Sequence, residues 1–243
     1  MIVAEIGLNH LGSEEILDKY LRSACNVDAL TIQVLSDTFF QTEKYSSLKL
    51  NHNVLIDFID KAHDRGYKVG IAIDDYKKVD MFTSDKVSFY KILSKDVNNR
   101  DLFDSICKTS VENIYISTGM SDYNSLDDIV PQLTSMDNRI KLIHTQLSNT
   151  ISDVNLSAIE LMHNKYKVPI AYGHHCIDKN VIYASLGFSP ESIFFYIKGD
   201  ENLTYPDDLH AVSIGDVCSL VDSIRQVQVS IGDGNKVSMD NWA

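Results

Sequence analysis

The chain has 243 residues, 44% of them hydrophobic, which supplies the core of one α/β barrel-sized domain. Its 22 Lys and Arg against 34 Asp and Glu leave a formal net charge of −12. That balance argues against nucleic acid or an anionic membrane as partner, since both need a positive field, while a small anionic substrate needs only a few cations inside a cleft.

No apolar run approaches the length of a membrane span, and the opening "MIVAEIGL" is too short for a signal peptide. Cys25, Cys107, Cys176 and Cys218 form no CxxC pair, which argues against zinc-finger and paired-redox readings. The expectation is a soluble protein of a reducing cytoplasm.

In chain order, the short apolar runs are "IVAEIG", "ALTIQVL", "KVGIAI", "FYKILS", "NIYIST", "IKLIHT", "PIAYGH" and "SIFFYIK". Amphipathic stretches separate them, as in successive βα units. The clearest helix lies in "SIGDVCSLVDSIRQVQ", with Ile214, Val217, Cys218, Val221 and Ile224 on one face and a capping box from Ser213 to Asp216. Near-continuous apolar strands imply a parallel sheet covered on both faces. Eight such units predict a (β/α)8 TIM barrel, one domain over residues 1–231 with a short tail over 232–243. An open doubly wound sheet is the alternative, but no Gly-rich phosphate loop follows the first strand.

A barrel gathers its chemistry at the carboxyl ends of its strands. Those ends carry Glu5, Asn9 and His10; Gln33; Asp74 and Asp75; Lys91 and Ser94; Ser117 and Thr118; His144 and Gln146; His174 and His175; Lys198 and Asp200. Neighbours on a strand point to opposite sides, so His174 and His175 cannot share one metal sphere without a turn of the backbone. A carboxylate inside an apolar strand, as at Glu5, must be partnered or neutralised; function and a salt bridge to Lys91 are both open. Lys91 is either an anion binder or a structural lysine paired to Asp74 or Asp75. His10 either serves the site or fixes the first loop. Cys176 and His144 read as core residues, and Asp74 and Asp75 as a solvated rim.

The run "VAEIGLNHLGSEEILDKYLRSACNVDALTIQ" resembles the opening of the sialic acid synthases. "FYKILSKDVNN", "YISTGM", "LIHTQLSNTISDVNLSAI", "VPIAYGHHCI" and "IRQVQVSIGDGNKV" resemble that family's later landmarks, in the same order. The resemblance implies condensation of phosphoenolpyruvate with an N-acetylated amino-sugar aldehyde to a nine-carbon 2-keto sugar acid, with release of phosphate. It implies catalytic roles for Glu5, Lys91 and His175. It implies substrate contacts from Gln33, Ser94, Ser117, Lys198 and Asn149, and a divalent metal (Mn or Mg) on His175 and an oxygen ligand from Asp207 or Asp208, here taken as Asp208. It also implies a homodimer.

Three departures accompany it. A lysine of the family is Thr31 here, the eighth strand carries no metal histidine, and the family's C-terminal antifreeze-like domain is not matched. Asp200, Asp207, Asp208 and His210 are the nearest replacement ligands. Two further readings therefore stand: a metal-independent barrel enzyme on a related sugar or keto acid, and a non-catalytic barrel that binds a sugar or a partner.

Overall fold

The computed structural model describes residues 1–82 and 85–235. Eight parallel strands close on themselves: β1 (Ile2–Gly7), β2 (Ala29–Val34), β3 (Lys68–Ile73), β4 (Phe89–Ile92), β5 (Asn113–Ser117), β6 (Ile140–Thr145), β7 (Ile170–His174) and β8 (Ile193–Lys198) pair in sequence order, and β8 returns to β1. The helices are α1 (Glu14–Ser23), α2 (His52–Asp64), α3 (Arg100–Cys107), α4 (Tyr123–Met136), α5 (Ser157–Tyr166), α6 (Asn180–Ser185) and α7 (Val217–Ile231). The fold is the expected (β/α)8 barrel, with one substitution among its outer elements. Between β3 and β4 the chain makes only a 3-10 segment, Tyr76–Met81, of which Val79 alone is buried. "YKKVDM" offers no apolar stripe for a full helix to bury.

Alternation along the strands builds the interior in layers. Val3, Ala29, Phe89, Tyr115, Ile143, Ala171 and Phe194 fill the middle of the barrel. Phe89, Tyr115 and Phe194 meet edge to face, with centroids 5.0–6.1 Å apart. Gly70 makes room for this plug, since a Cβ there would stand 2.1 Å from the Phe89 ring. Beneath it, the Tyr115 hydroxyl donates to Glu191 at 2.9 Å, and Lys141 pairs with the same carboxylate. The middle of the barrel is thus a packed core, and the polar inward positions follow it toward the carboxyl ends of the strands.

The last unit departs from its expected start. Ser213 lies in a ninth short strand, β9 (Val212–Ser213), which pairs with β8, and no side chain caps α7 after Asp216. Ser213 instead contributes its backbone carbonyl, which accepts from the Asp216 N–H at 2.8 Å. The buried stripe of α7 is Val217, Leu220, Val221 and Ile224. Ile214 precedes the helix, and Cys218 is joined to Cys25 across 193 residues of sequence. The four cysteines form no CxxC pair, as read from the sequence, yet two of them meet through the fold, which spacing alone does not anticipate. No described helix is long and apolar enough to cross a membrane. Of the expected tail, residues 236–243 lie outside the described residues.

Candidate active site at the barrel mouth

Above the aromatic plug the inward positions change from apolar to polar. Glu5 on β1 and Lys91 on β4 meet across the barrel as an ion pair, both about 95% buried or more. The Lys91 ammonium also lies 5.4 Å from the centre of the Phe194 ring and 5.8 Å from that of Tyr196. The partner of Lys91 is therefore Glu5. Asp74 accepts from the Ser36 N–H at 2.6 Å and from Lys95 at 2.9 Å, and Asp75 caps the 3-10 segment.

Tyr196 stands at the centre of the cluster. Its hydroxyl accepts from Gln33 Nε2 at 3.4 Å, and its ring meets those of His175 at 5.5 Å and His210 at 5.2 Å. Burial first, then the negative charges of Glu5 and Asp207, hold the phenol well above its ordinary pKa. It is therefore an O–H donor at every physiological pH. The strand parity that turns Phe194 inward also turns Tyr196 inward, a signal present in the sequence but not used there.

Gly7 permits this packing. It ends β1 at a register shift with φ +56, and a Cβ there would stand 2.6 Å from the Tyr196 ring and 3.2 Å from Asp207 Oδ2. Asn9 fixes the facing loop: its side chain donates to the Ile197 carbonyl at 2.8 Å and accepts from the Asp207 N–H at 3.2 Å. His10 holds the first loop, its Nδ1 accepting from the Gly12 N–H at 3.0 Å.

The paired histidines diverge. His175 faces the mouth, stacked on His210 with centroids 4.5 Å apart. His174 lies outside the barrel, its Nδ1 at 3.1 Å from the Tyr172 hydroxyl. Burial, then the neighbouring His210, lowers His175 to about 2; burial, then Lys198, lowers His210 to about 4. Both rings are neutral at pH 7. His144 is a satisfied core residue bonded to the Val154 carbonyl at 2.9 Å, and Cys176 is buried with its sulfur accepting from the Asp178 N–H.

A second polar group sits beside the ion pair. Ser94 Oγ donates to Ser117 Oγ at 2.9 Å and accepts from the Gly119 N–H at 3.1 Å. Four further sequence candidates, Lys198, Asp208, Asn149 and Asp200, lie away from this cluster. Lys198 donates to Asp208 at 2.6 Å, so Asp208 is held at the rim. The carboxylate beside the histidines is Asp207, 3.9 Å from His210 Nε2. Of the two expected oxygen donors, Asp207 is the one that meets a histidine and Asp208 the one that meets Lys198. Asn149 lies between the loops after β6 and β7, where its backbone carbonyl accepts from Ile177 N–H at 3.2 Å. Asp200 is exposed and caps its own turn through Asn202.

The donor set does not fit a divalent ion as it stands. The planes of His175 and His210 are only 30° apart, so the rings stack rather than converge, and β8 offers a phenol at its mouth end. Among the described residues, no three His, Cys, Asp or Glu side chains come together to hold a metal.

Comparison with known proteins agrees with this architecture. The NeuB family profile matches residues 18–236. An uncharacterized protein of Methanocaldococcus jannaschii is 28% identical over 98% of this chain and 74% of its own. An N,N'-diacetyllegionaminic acid synthase of Legionella pneumophila is 24% identical over 99% of this chain and 75% of its own. The crystal structure of an N-acetylneuraminic acid synthetase from Leptospira borgpetersenii, in complex with citrate, superposes with a TM-score of 0.89 at 20% identity, covering 98% of this chain and 87% of that one.

Proposed function

The chain belongs to the NeuB family, and on that premise we propose that its mouth joins phosphoenolpyruvate to the aldehyde of an N-acetylated amino-sugar. The family and its named relatives are sialic-acid-type sugar acid synthases. The observation that carries the finer reading is the buried Glu5–Lys91 pair, set beside the hydroxyls of Ser94 and Ser117.

A lone carboxylate and ammonium are costly to bury, and here they sit where the barrel opens. An incoming anion competes with Glu5 for the Lys91 ammonium, and the Ser117 hydroxyl, at the end of the Gly119–Ser94–Ser117 hydrogen-bond chain, adds a neutral donor. The enol carbon of the donor attacks the aldehyde carbon, and the aldehyde oxygen becomes a hydroxyl. The Tyr196 O–H is the donor for that oxygen, its own oxygen being held by Gln33. Water then adds to C2 of the donor, the carbon that carries the phosphate, and Glu5 takes its first proton; the new hydroxyl gives its second proton to the departing phosphate as the bond from C2 to the phosphate oxygen breaks and the ketone forms. The products are a 2-keto sugar acid and inorganic phosphate. Because the donor set does not fit a metal, no step uses one. The metal-independent form of the reaction is favoured by Tyr196 at the mouth end of β8.

Phosphate release with phosphoenolpyruvate and N-acetylmannosamine tests the reading, with and without a chelator. Chelator-resistant release supports it; no release with any N-acetylated amino-sugar removes it. The same reading carries a homodimer, whose contact must bury on the order of 1,000 Å². Sedimentation showing only monomer at micromolar concentration is the contrary result.

A further inference from the structure

We propose that Cys25 and Cys218 form a reversible redox modification site that locks the seam where the barrel closes. In a barrel of sequential βα units, every neighbouring pair is covalently continuous except the last and the first. Here that seam is β8 against β1, and a Cys25–Cys218 bond spans it, linking residues 193 apart in sequence. The Cα atoms are 5.3 Å apart, inside the range a disulfide needs without backbone movement.

The surroundings make this a mechanical junction. Asn26, next to Cys25, donates to Asp222 at 2.9 Å; Arg225 donates to the Asn26 carbonyl at 2.9 Å and to Asp28 at 2.8 Å. Asp28 in turn accepts from the Ile2 N–H at 2.6 Å, so α7 is tied through it to β1. These polar links are exposed or partly exposed, and exposed ion pairs hold weakly. The disulfide adds a covalent tie to the same contact.

Selectivity follows from access. Cys25 and Cys218 are both partly exposed, so a small disulfide reaches them. Cys176 is buried, and burial followed by Asp137 raises the Cys107 thiol to about 12, which leaves little thiolate to react. The step is thiol–disulfide exchange. One cysteine thiolate attacks a small-molecule disulfide and expels one thiol. The second cysteine then attacks the mixed disulfide and expels the other, so the protein loses two hydrogens and the oxidant becomes two thiols.

The inference rests on the seam and not on the mouth chemistry, so it stands or falls separately from the proposed activity. The test treats the full chain with glutathione disulfide or with dithiothreitol. It then maps free thiols by alkylation, reads thermal unfolding, and follows amide exchange over residues 217–231. Oxidation is expected to link the Cys25 and Cys218 peptides while Cys107 and Cys176 stay as thiols. It should raise the unfolding midpoint by about 10 °C, as closing so long a loop in the unfolded chain predicts. Exchange in α7 should slow. Cys25→Ser and Cys218→Ser should match the reduced wild type under both treatments. Full alkylation of both cysteines after glutathione disulfide overturns the site. A disulfide that forms but changes neither midpoint nor α7 exchange overturns the lock.

Discussion

Lys91 reaches across the barrel from β4 to the carboxylate of Glu5 on β1, and both are buried at the mouth. Removing one partner leaves the other charge buried alone. Lys91→Met, which keeps the apolar stem, should therefore destabilise the fold by roughly 3–5 kcal/mol, and the double variant Glu5→Gln/Lys91→Met should regain much of that. Denaturant unfolding of the three variants checks it. A double variant no more stable than Lys91→Met alone contradicts the coupling.

Lys91 also faces the expected anion. Lys91→Ala should weaken phosphoenolpyruvate binding by about 1.5–3 kcal/mol, the scale of a charge-assisted hydrogen bond. Calorimetric titration reads this directly. Equal affinity in a folded variant removes Lys91 from the anion site.

Tyr196 is cast as the donor to the developing hydroxyl. Tyr196→Phe keeps the ring against His175 and His210 and deletes only the O–H. Its kcat should fall by about 10²-fold with phosphoenolpyruvate affinity unchanged. An unchanged kcat would show that the aldehyde oxygen finds its donor elsewhere.

The two histidines should separate by readout. His175→Ala opens the stack at the mouth and should cut turnover about 10²-fold, the low end for a positioned acid–base side chain. His174→Ala, outside the barrel, should leave turnover near wild type and cost about 1–3 kcal/mol of stability through the unpaired Tyr172 hydroxyl. The reverse ranking would falsify the inward register of β7.

The strands were legible because a barrel strand buried on both faces is a short apolar run with a polar end, and all eight runs coincide with strands. The third outer element was not, because "DDYKKVDMF" carries no periodicity and only packing around Val79 decides its shape. The Glu5–Lys91 pair was among the sequence alternatives because both residues interrupt apolar strands. Choosing between Asp207 and Asp208 was beyond pattern reading. Asn9, 198 residues away, accepts the Asp207 N–H and so orients that loop. The Cys25–Cys218 contact is of the same kind, since only barrel closure brings the two together.

Asp207 gives a pH signature. Burial, then the charge of Glu5, raises its carboxyl from 3.8 to about 7, with Lys91 opposing. The folded state thus holds a proton there that the unfolded chain releases near pH 3.8. This stability is complete below 3.8 and is lost as pH rises through about 7, a change on the order of 4 kcal/mol at most. The buried histidines run the other way. His10, His174 and His210 sit near 4 and His175 near 2, each lowered chiefly by burial from 6.5. Their contribution is present above 6.5 and is lost as pH falls through the folded values. The wild-type curve mixes both slopes, so a difference curve is needed. Asp207→Asn cannot ionise and should gain on the wild type steadily from pH 4 to 7, by urea unfolding at each pH. A flat difference across that window would show that Asp207 ionises in the folded protein as it does in the unfolded chain.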